Sequence, residues 1–192
     1  MQGESSFWLY KYSHRLEDIA NAEKSLRAAE VLGNSTIQNK EYLAITCLEM
    51  GKRSEHGFLK EALKRLDALQ ERNKREGIRL RAEDFSYRGK CKLYLGRKGF
   101  PEYISGAIED LKASINLDPL EPHHYSLLAD AYLRQARMIS DQKPAGMWGM
   151  WTRLKRQFIK DNALFSYLQE AKNNIEKAIE KAKNHGNVQT FH

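Results

Sequence analysis

The stretch SINLDPLEPHHYSLLADAYLRQA, residues 114–136, holds the end of one helix, a stop and the whole of a second helix. Asp118-Pro119 is the stop, because the proline ring has no N–H to donate and clashes with the carbonyl one turn back. Within a few residues apolar side chains recur at helical spacing, at Tyr125, Leu128, Ala129, Tyr132 and Ala136. Such a joint connects two packed helices. If it recurs along the chain, the protein is built of repeats, and its function lies on a surface rather than in a catalytic pocket.

It does recur. YLAITCLEMG (42–51), YRGKCKLYLG (87–96) and LLADAYLRQA (127–136) align without gaps. Each has a small residue near its start, at Ala44, Gly89 and Ala129, and ends seven residues later on Gly51, Gly96 or Ala136. The following helices agree too: Ala62, Leu66 and Leu69 are spaced like Ala107, Leu111 and Ser114. Ala171, Ile175 and Ala178 share that spacing, as do Ala22, Leu26 and Ala29, and Gly51 lies as far from Ala62 as Gly96 does from Ala107. With four prolines in 192 residues, and good helix formers dominating, the chain reads as all-α. Helices are expected over about 6–32, 36–50, 56–75, 81–95, 101–117, 122–138, 147–160 and 162–184. Gly33, Gly51, Gly77 and Gly96 are placed to end helices. Asn34-Ser35 and Asp161-Asn162 are placed to begin them.

The run from Ala107 through Leu111 to Pro119, then Tyr125, Leu128, Ala129 and Tyr132, resembles the tetratricopeptide repeat (TPR) family, with its W-x2-L-G-x2-Y, A-x3-F and P signals. The resemblance implies a right-handed superhelical array of antiparallel helix pairs, a TPR-like α-α solenoid. It covers residues 35–184 as three pairs, preceded at 1–34 by an N-terminal helix or degenerate half-repeat and followed at 185–192 by a disordered tail. The chain departs from the family pattern in three places. The turn inside each of the first two pairs is about six residues too long. Arg88 stands where Leu43 and Leu128 stand in the other copies, and an insertion at about 137–162 splits the third pair.

The resemblance also implies a groove lined by the first helix of each pair. Its positions fall on Gln38, Glu41, Ile45 and Glu49, then Glu83, Ser86, Lys90 and Tyr94, then His123, Ser126, Asp130 and Arg134. This mixed surface would suit an extended peptide or a partner helix. The Lys/Asn clamp with which chaperone-binding members grip a terminal carboxylate is not reproduced, since Glu41, Ile45, Ser86 and Lys90 occupy those places.

The insertion KPAGMWGMWTRLKRQFIK (143–160) is a second candidate. Trp148, Trp151, Leu154 and Phe158 share one helical face, while Lys143, Arg153, Lys155, Arg156 and Lys160 are unopposed by any acid. An anionic membrane surface or an acidic partner would suit it; so would plain packing over the end of the stack. The net charge of +7 favours anionic partners in general. The basic run at 70–84 is diluted by Glu71, Glu76 and Glu83 and carries no aromatic residue, which disfavours nucleic acid. His123 and His124 are adjacent on a helix and point apart, so no metal site is expected. No catalytic or cofactor motif is present, and no enzyme activity or cofactor is expected. Cys47 and Cys91 lie in apolar helical stretches, as buried small hydrophobes of a reducing compartment. The N-terminal stretch lacks a signal-peptide pattern, so a cytoplasmic location is expected. The expected function is therefore that of a scaffold, adaptor or chaperone-like module binding another protein. Homo-oligomerisation is compatible with the sequence.

Overall fold

The computed structural model describes residues 7–9, 15–54, 56–141 and 150–188, with side chains at 140–141, 150–161 and 185–188 outside the description. Every regular element among the described residues is helical: α1 (Leu16–Val31), α2 (Ile37–Arg53), α3 (His56–Arg75), α4 (Ala82–Arg97), α5 (Tyr103–Leu117), α6 (Pro122–Asp141) and α7 (Met150–Val188). Phe7–Leu9 form a further short helical stretch. No helix among the described residues is long and apolar enough to cross a membrane.

Local chemistry sets the helix ends. The Thr36 hydroxyl accepts the Asn39 N–H at 3.1 Å and opens α2. The Asp84 carboxylate accepts the Arg81 N–H at 2.8 Å and opens α4. The chain leaves α1 through Gly33 (φ +72°) and α3 through Gly77 (φ +67°). In both exits the next residue donates back five positions, Asn34 to Ala29 at 3.0 Å and Ile78 to Asn73 at 2.8 Å, a Schellman closure that needs the left-handed residue.

Gly51 and Gly96 do not end helices, contrary to the expectation: α2 and α4 run past them to Arg53 and Arg97. They mark close approach instead. A Cβ on Gly51 would lie 2.8 Å from the Leu59 backbone nitrogen, and one on Gly96 would lie 2.7 Å from Ile104 Cγ1. A Cβ on Gly89 would meet Leu111 Cγ at 2.8 Å. These contacts run in opposite senses along α4 and α5, so the pair is antiparallel. The residues read as an overlong turn in the first pair are helical up to Arg53, and α3 begins at His56.

Each helix packs on its neighbour in sequence, and α2 also touches α4, as α4 touches α6. The even-numbered helices therefore form one row. Two apolar clusters run through the stack. One joins Leu26, Leu43, Cys47, Leu48, Leu59, Leu66, Cys91 and Leu95; the other joins Leu93, Ile104, Leu111, Leu128, Tyr132 and Ala171. Helix α4 contributes to both. The alanines of the repeat spacing, Ala22, Ala62, Ala107 and Ala171, are all buried at these joints. Cys47 and Cys91 are buried and unpaired, and burial pushes the Cys47 thiol up to about 12.

Two further features differ from the sequence reading. The first helix does not run from residue 6, because Arg15 is extended (φ −79°, ψ 136°) and α1 starts at Leu16. Asp161-Asn162 does not begin a helix, because α7 is continuous over 39 residues and reaches Val188, inside the expected tail. Nothing between Met150 and His185 is a proline or glycine that would interrupt it. Arg88, which stands where its counterparts are leucines, is held by ion pairs. Its guanidinium lies 3.2 Å from Asp110 and 3.3 Å from Asp67, and Lys92 lies 2.7 Å from Asp110. At this position the middle pair is thus tied to α3 by charge, whereas Leu43 and Leu128 join the apolar clusters.

Candidate functional site: a groove floored by tyrosines

A groove of about 990 Å³ opens along α2 and α4. Its lining includes Gln38, Glu41, Tyr42, Ile45 and Glu49 from α2, and Glu83, Tyr87 and Lys90 from α4. These residues converge because a stretch of a helix repeats its facing every three to four residues, and α2 touches α4 side by side. Tyr42 and Tyr87 form the aromatic floor, packed against buried Ile45. Phe7 stacks on Tyr42 with centroids 4.8 Å apart and planes at 28°, and Trp8 meets the same ring edge-on at 6.2 Å. Phe7 and Trp8 therefore form one wall of the groove.

Charged pairs frame that floor. Arg81 lies 2.5 Å from Glu41 and 2.8 Å from Asp84. Glu49 lies 2.6 Å from Lys52 and 3.3 Å from Lys90. Burial works to raise the Glu49 carboxyl, but the ammonium groups of Lys90 and Lys52 outweigh it and hold the carboxyl below its ordinary value. Burial lowers Lys90 in turn, with Glu49 opposing the shift. Gln38 donates to the Tyr42 hydroxyl at 2.7 Å and steadies its ring at the rim.

The structure gathers six of the expected groove residues into this one cavity: Gln38, Glu41, Ile45, Glu49, Glu83 and Lys90. Ser86 is buried and does not line it. Tyr94 stacks under Arg97 at 4.7 Å and Lys52 at 5.6 Å from its centroid. The third set stands apart. Asp130 pairs with Arg97, and Arg134 donates to the carbonyls of Gly96 (3.3 Å) and Arg97 (3.0 Å). Those two residues complete the C-terminus of α4. His123 and Ser126 are both exposed on α6.

Of the insertion, Trp148 lies outside the described residues. Trp151, Arg153, Leu154, Lys155, Arg156 and Phe158 belong to the backbone of α7, with their side chains outside the description. The expected positions do not include Tyr42, Tyr87, Phe7 and Trp8. Tyr42 and Tyr87 share one column of the aligned repeats, which is the signal that marks them. No family model matches the chain, and neither curated proteins nor solved structures yield a match.

Proposed function

We propose that this chain is a protein-interaction module of the tetratricopeptide kind, a superhelical α-α array that receives a peptide or helix of another protein along α2 and α4. The observation that carries this reading is the tyrosine-floored groove of about 990 Å³, framed by exchangeable ion pairs. Aromatic floors give large contact area at small conformational cost, and desolvated anchors supply most of the affinity at such surfaces. An apolar side chain of the partner sits among Tyr42, Ile45 and Tyr87. Charges on either side of that anchor replace the intramolecular partners of Arg81 and Glu49, which sets orientation and specificity. The protein acts as a scaffold or adaptor, by binding rather than by chemistry.

Peptides selected by display against the immobilised chain, with affinities measured by calorimetry, test this. Tyr87→Ala is expected to weaken the selected peptides by about tenfold or more. Glu83→Arg, at the rim of the groove, is expected to shift their charge preference, with helical circular dichroism unchanged in both variants. Peptides that bind wild type and Tyr87→Ala equally well would place the binding surface elsewhere.

A further inference from the structure

The last helix carries core residues on its outside. The repeat spacing sets Ile19, Leu59, Ile104 and Leu168 in one column, and Leu26, Leu66, Leu111 and Ile175 in another. In α1, α3 and α5 none of these is more than 5% exposed, yet in α7 Leu168 is 44% and Ile175 43% exposed. The cause is position in the stack. The helix that follows in sequence packs on each of α1, α3 and α5, whereas among the described helices none follows α7, which touches only α6 before it. Phe165 and Ile179 extend the bare strip, at 69% and 51% exposure. A continuous apolar strip of this kind marks a surface that another element covers.

The sequence of α7 says what kind of element. It spans 39 residues, whereas α1 has 16 and α6 has 20. Across it, positions 151, 158, 165, 172 and 179, with 154, 161, 168, 175 and 182, keep a seven-residue repeat. Every one is apolar except Asp161 and Lys172. Such a seam, sustained over about four heptads, is that of a two-stranded coiled coil. The face of α7 that packs on α6, with Tyr167, Ala171 and Asn174 the more buried residues, uses other heptad positions about a quarter turn away. A second helix can therefore dock without displacing α6.

We propose that the occupant is a second copy of this chain, paired α7 against α7 in antiparallel orientation. The two polar seam residues decide this. In an antiparallel pair each position of the first set faces one of the second set. One register sets Asp161 opposite Lys172 of the second copy, twice by symmetry. The same register sets Phe165 across from Leu168, Phe158 from Ile175 and Leu154 from Ile179, and sets bulky Trp151 against small Ala182. Parallel, in-register pairing would put Asp161 on Asp161 and Lys172 on Lys172. Sliding the antiparallel pair by one heptad would bury both charges against apolar residues. The charges that interrupt the seam thus select one orientation and one register. Within one chain Lys172 lies 3.8 Å from Glu176, an exposed pair that is readily exchanged. The interface is two-fold and isologous, so association closes at the dimer.

Sedimentation equilibrium on the full chain tests this. Wild type is expected to dimerise at micromolar concentration, and Leu168→Asp/Ile175→Asp to remain monomeric. Both sites are exposed in the single chain, so helical circular dichroism should not change. Lys172→Asp is expected to weaken the dimer by about tenfold or more, and Asp161→Lys/Lys172→Asp to restore it. Because the native cysteines are buried, mixing Phe165→Cys with Leu168→Cys chains under mild oxidation should link the two unlike copies. A wild type monomeric at about 100 μM overturns the proposal. So does a dimer indifferent to either aspartate variant, a double charge swap that fails to restore pairing, or preferential linkage between like positions. Capture of monomeric wild type, but not Leu168→Asp/Ile175→Asp, by phosphatidylserine vesicles would assign the seam to a membrane surface and overturn self-pairing.

Discussion

At the scale of single residues, glycine plays two unlike roles in this chain. Gly33 and Gly77 supply left-handed backbone at helix exits, while Gly51 sits inside α2 and gives room to the start of α3. Intrinsic propensity alone would make Gly51→Ala stabilising by about 1 kcal/mol, since alanine favours the helix interior. Packing opposes it. The added methyl would lie 2.8 Å from the Leu59 backbone nitrogen, an atom that cannot swing aside as a flexible side-chain tip can. Overpacking of this kind costs about 1–3 kcal/mol, so the net change is expected to be destabilising. Urea unfolding followed by circular dichroism reads the sign directly. A midpoint raised by the alanine would show that the contact between α2 and α3 relaxes freely. Nothing in the sequence distinguishes Gly51 from Gly33, because both follow an amphipathic run. Only the neighbouring helix tells them apart.

At the scale of elements, α1 and α3 are joined by charge rather than by close backbone approach. Arg27 grips Glu61 with both guanidinium ends, at 2.9 and 2.7 Å, and Arg65 grips Glu30 likewise, at 2.9 Å for each bond. Arg65 also reaches Glu61 at 2.9 Å, and Arg27 reaches Glu23, so the ladder is continuous. Hydrogen bonds from Arg65 hold the Glu30 carboxyl below its ordinary value of 4.5, and those from Arg27 do the same for Glu61, against the opposing effect of burial. Depressed carboxyls stabilise the fold fully above about pH 4.5 and lose that contribution as the pH falls through their lower folded values. The side chains are 21–37% exposed, which limits the contribution to about 1 kcal/mol. Melting temperature is therefore expected to fall on acidification below pH 4.5, and Glu30→Gln/Glu61→Gln to flatten that slope while lowering stability at pH 7. An unchanged slope in the variant would move the acid sensitivity to other carboxyls. Elements were legible where punctuation was strong. Thr36 and Pro122 open helices within a residue or two of the expectation, and Asp118-Pro119 ends one. Arg15 and Asp161-Asn162 show the limit. No proline or glycine marks the first although the backbone turns extended there, and a cap-like pair at the second is overridden because the helix runs through it.

At the scale of the whole molecule, a stack in which each helix meets its sequence neighbours has no single centre, and its stability is spread unevenly. The site was legible only as far as the repeat spacing reaches. It brought Glu41, Ile45, Glu49, Glu83 and Lys90 onto one groove, but it carried over family positions and so passed by Tyr42 and Tyr87, which lie in the same column of the alignment. Phe7 was beyond its reach, because a residue outside the repeat has no column to place it. The same unevenness predicts a gradient of protection. Helix α4 supplies Cys91 and Leu95 to one apolar cluster and Leu93 to the other, so it cannot open without disrupting both. Helices α1 and α7 each pack on one neighbour, and α7 exposes Leu168, Ile175 and Ile179. Hydrogen exchange read by mass spectrometry is thus expected to be slowest in α4, and faster by about tenfold or more in α1 and in α7 beyond Asn174. Raising the protein concentration should slow exchange in α7 selectively, since a second copy covers its seam, while leaving α1 unchanged. Equal rates in α1, α4 and α7 at low concentration would mean that the stack opens only as one unit, and the reading of its ends as separately labile would fail.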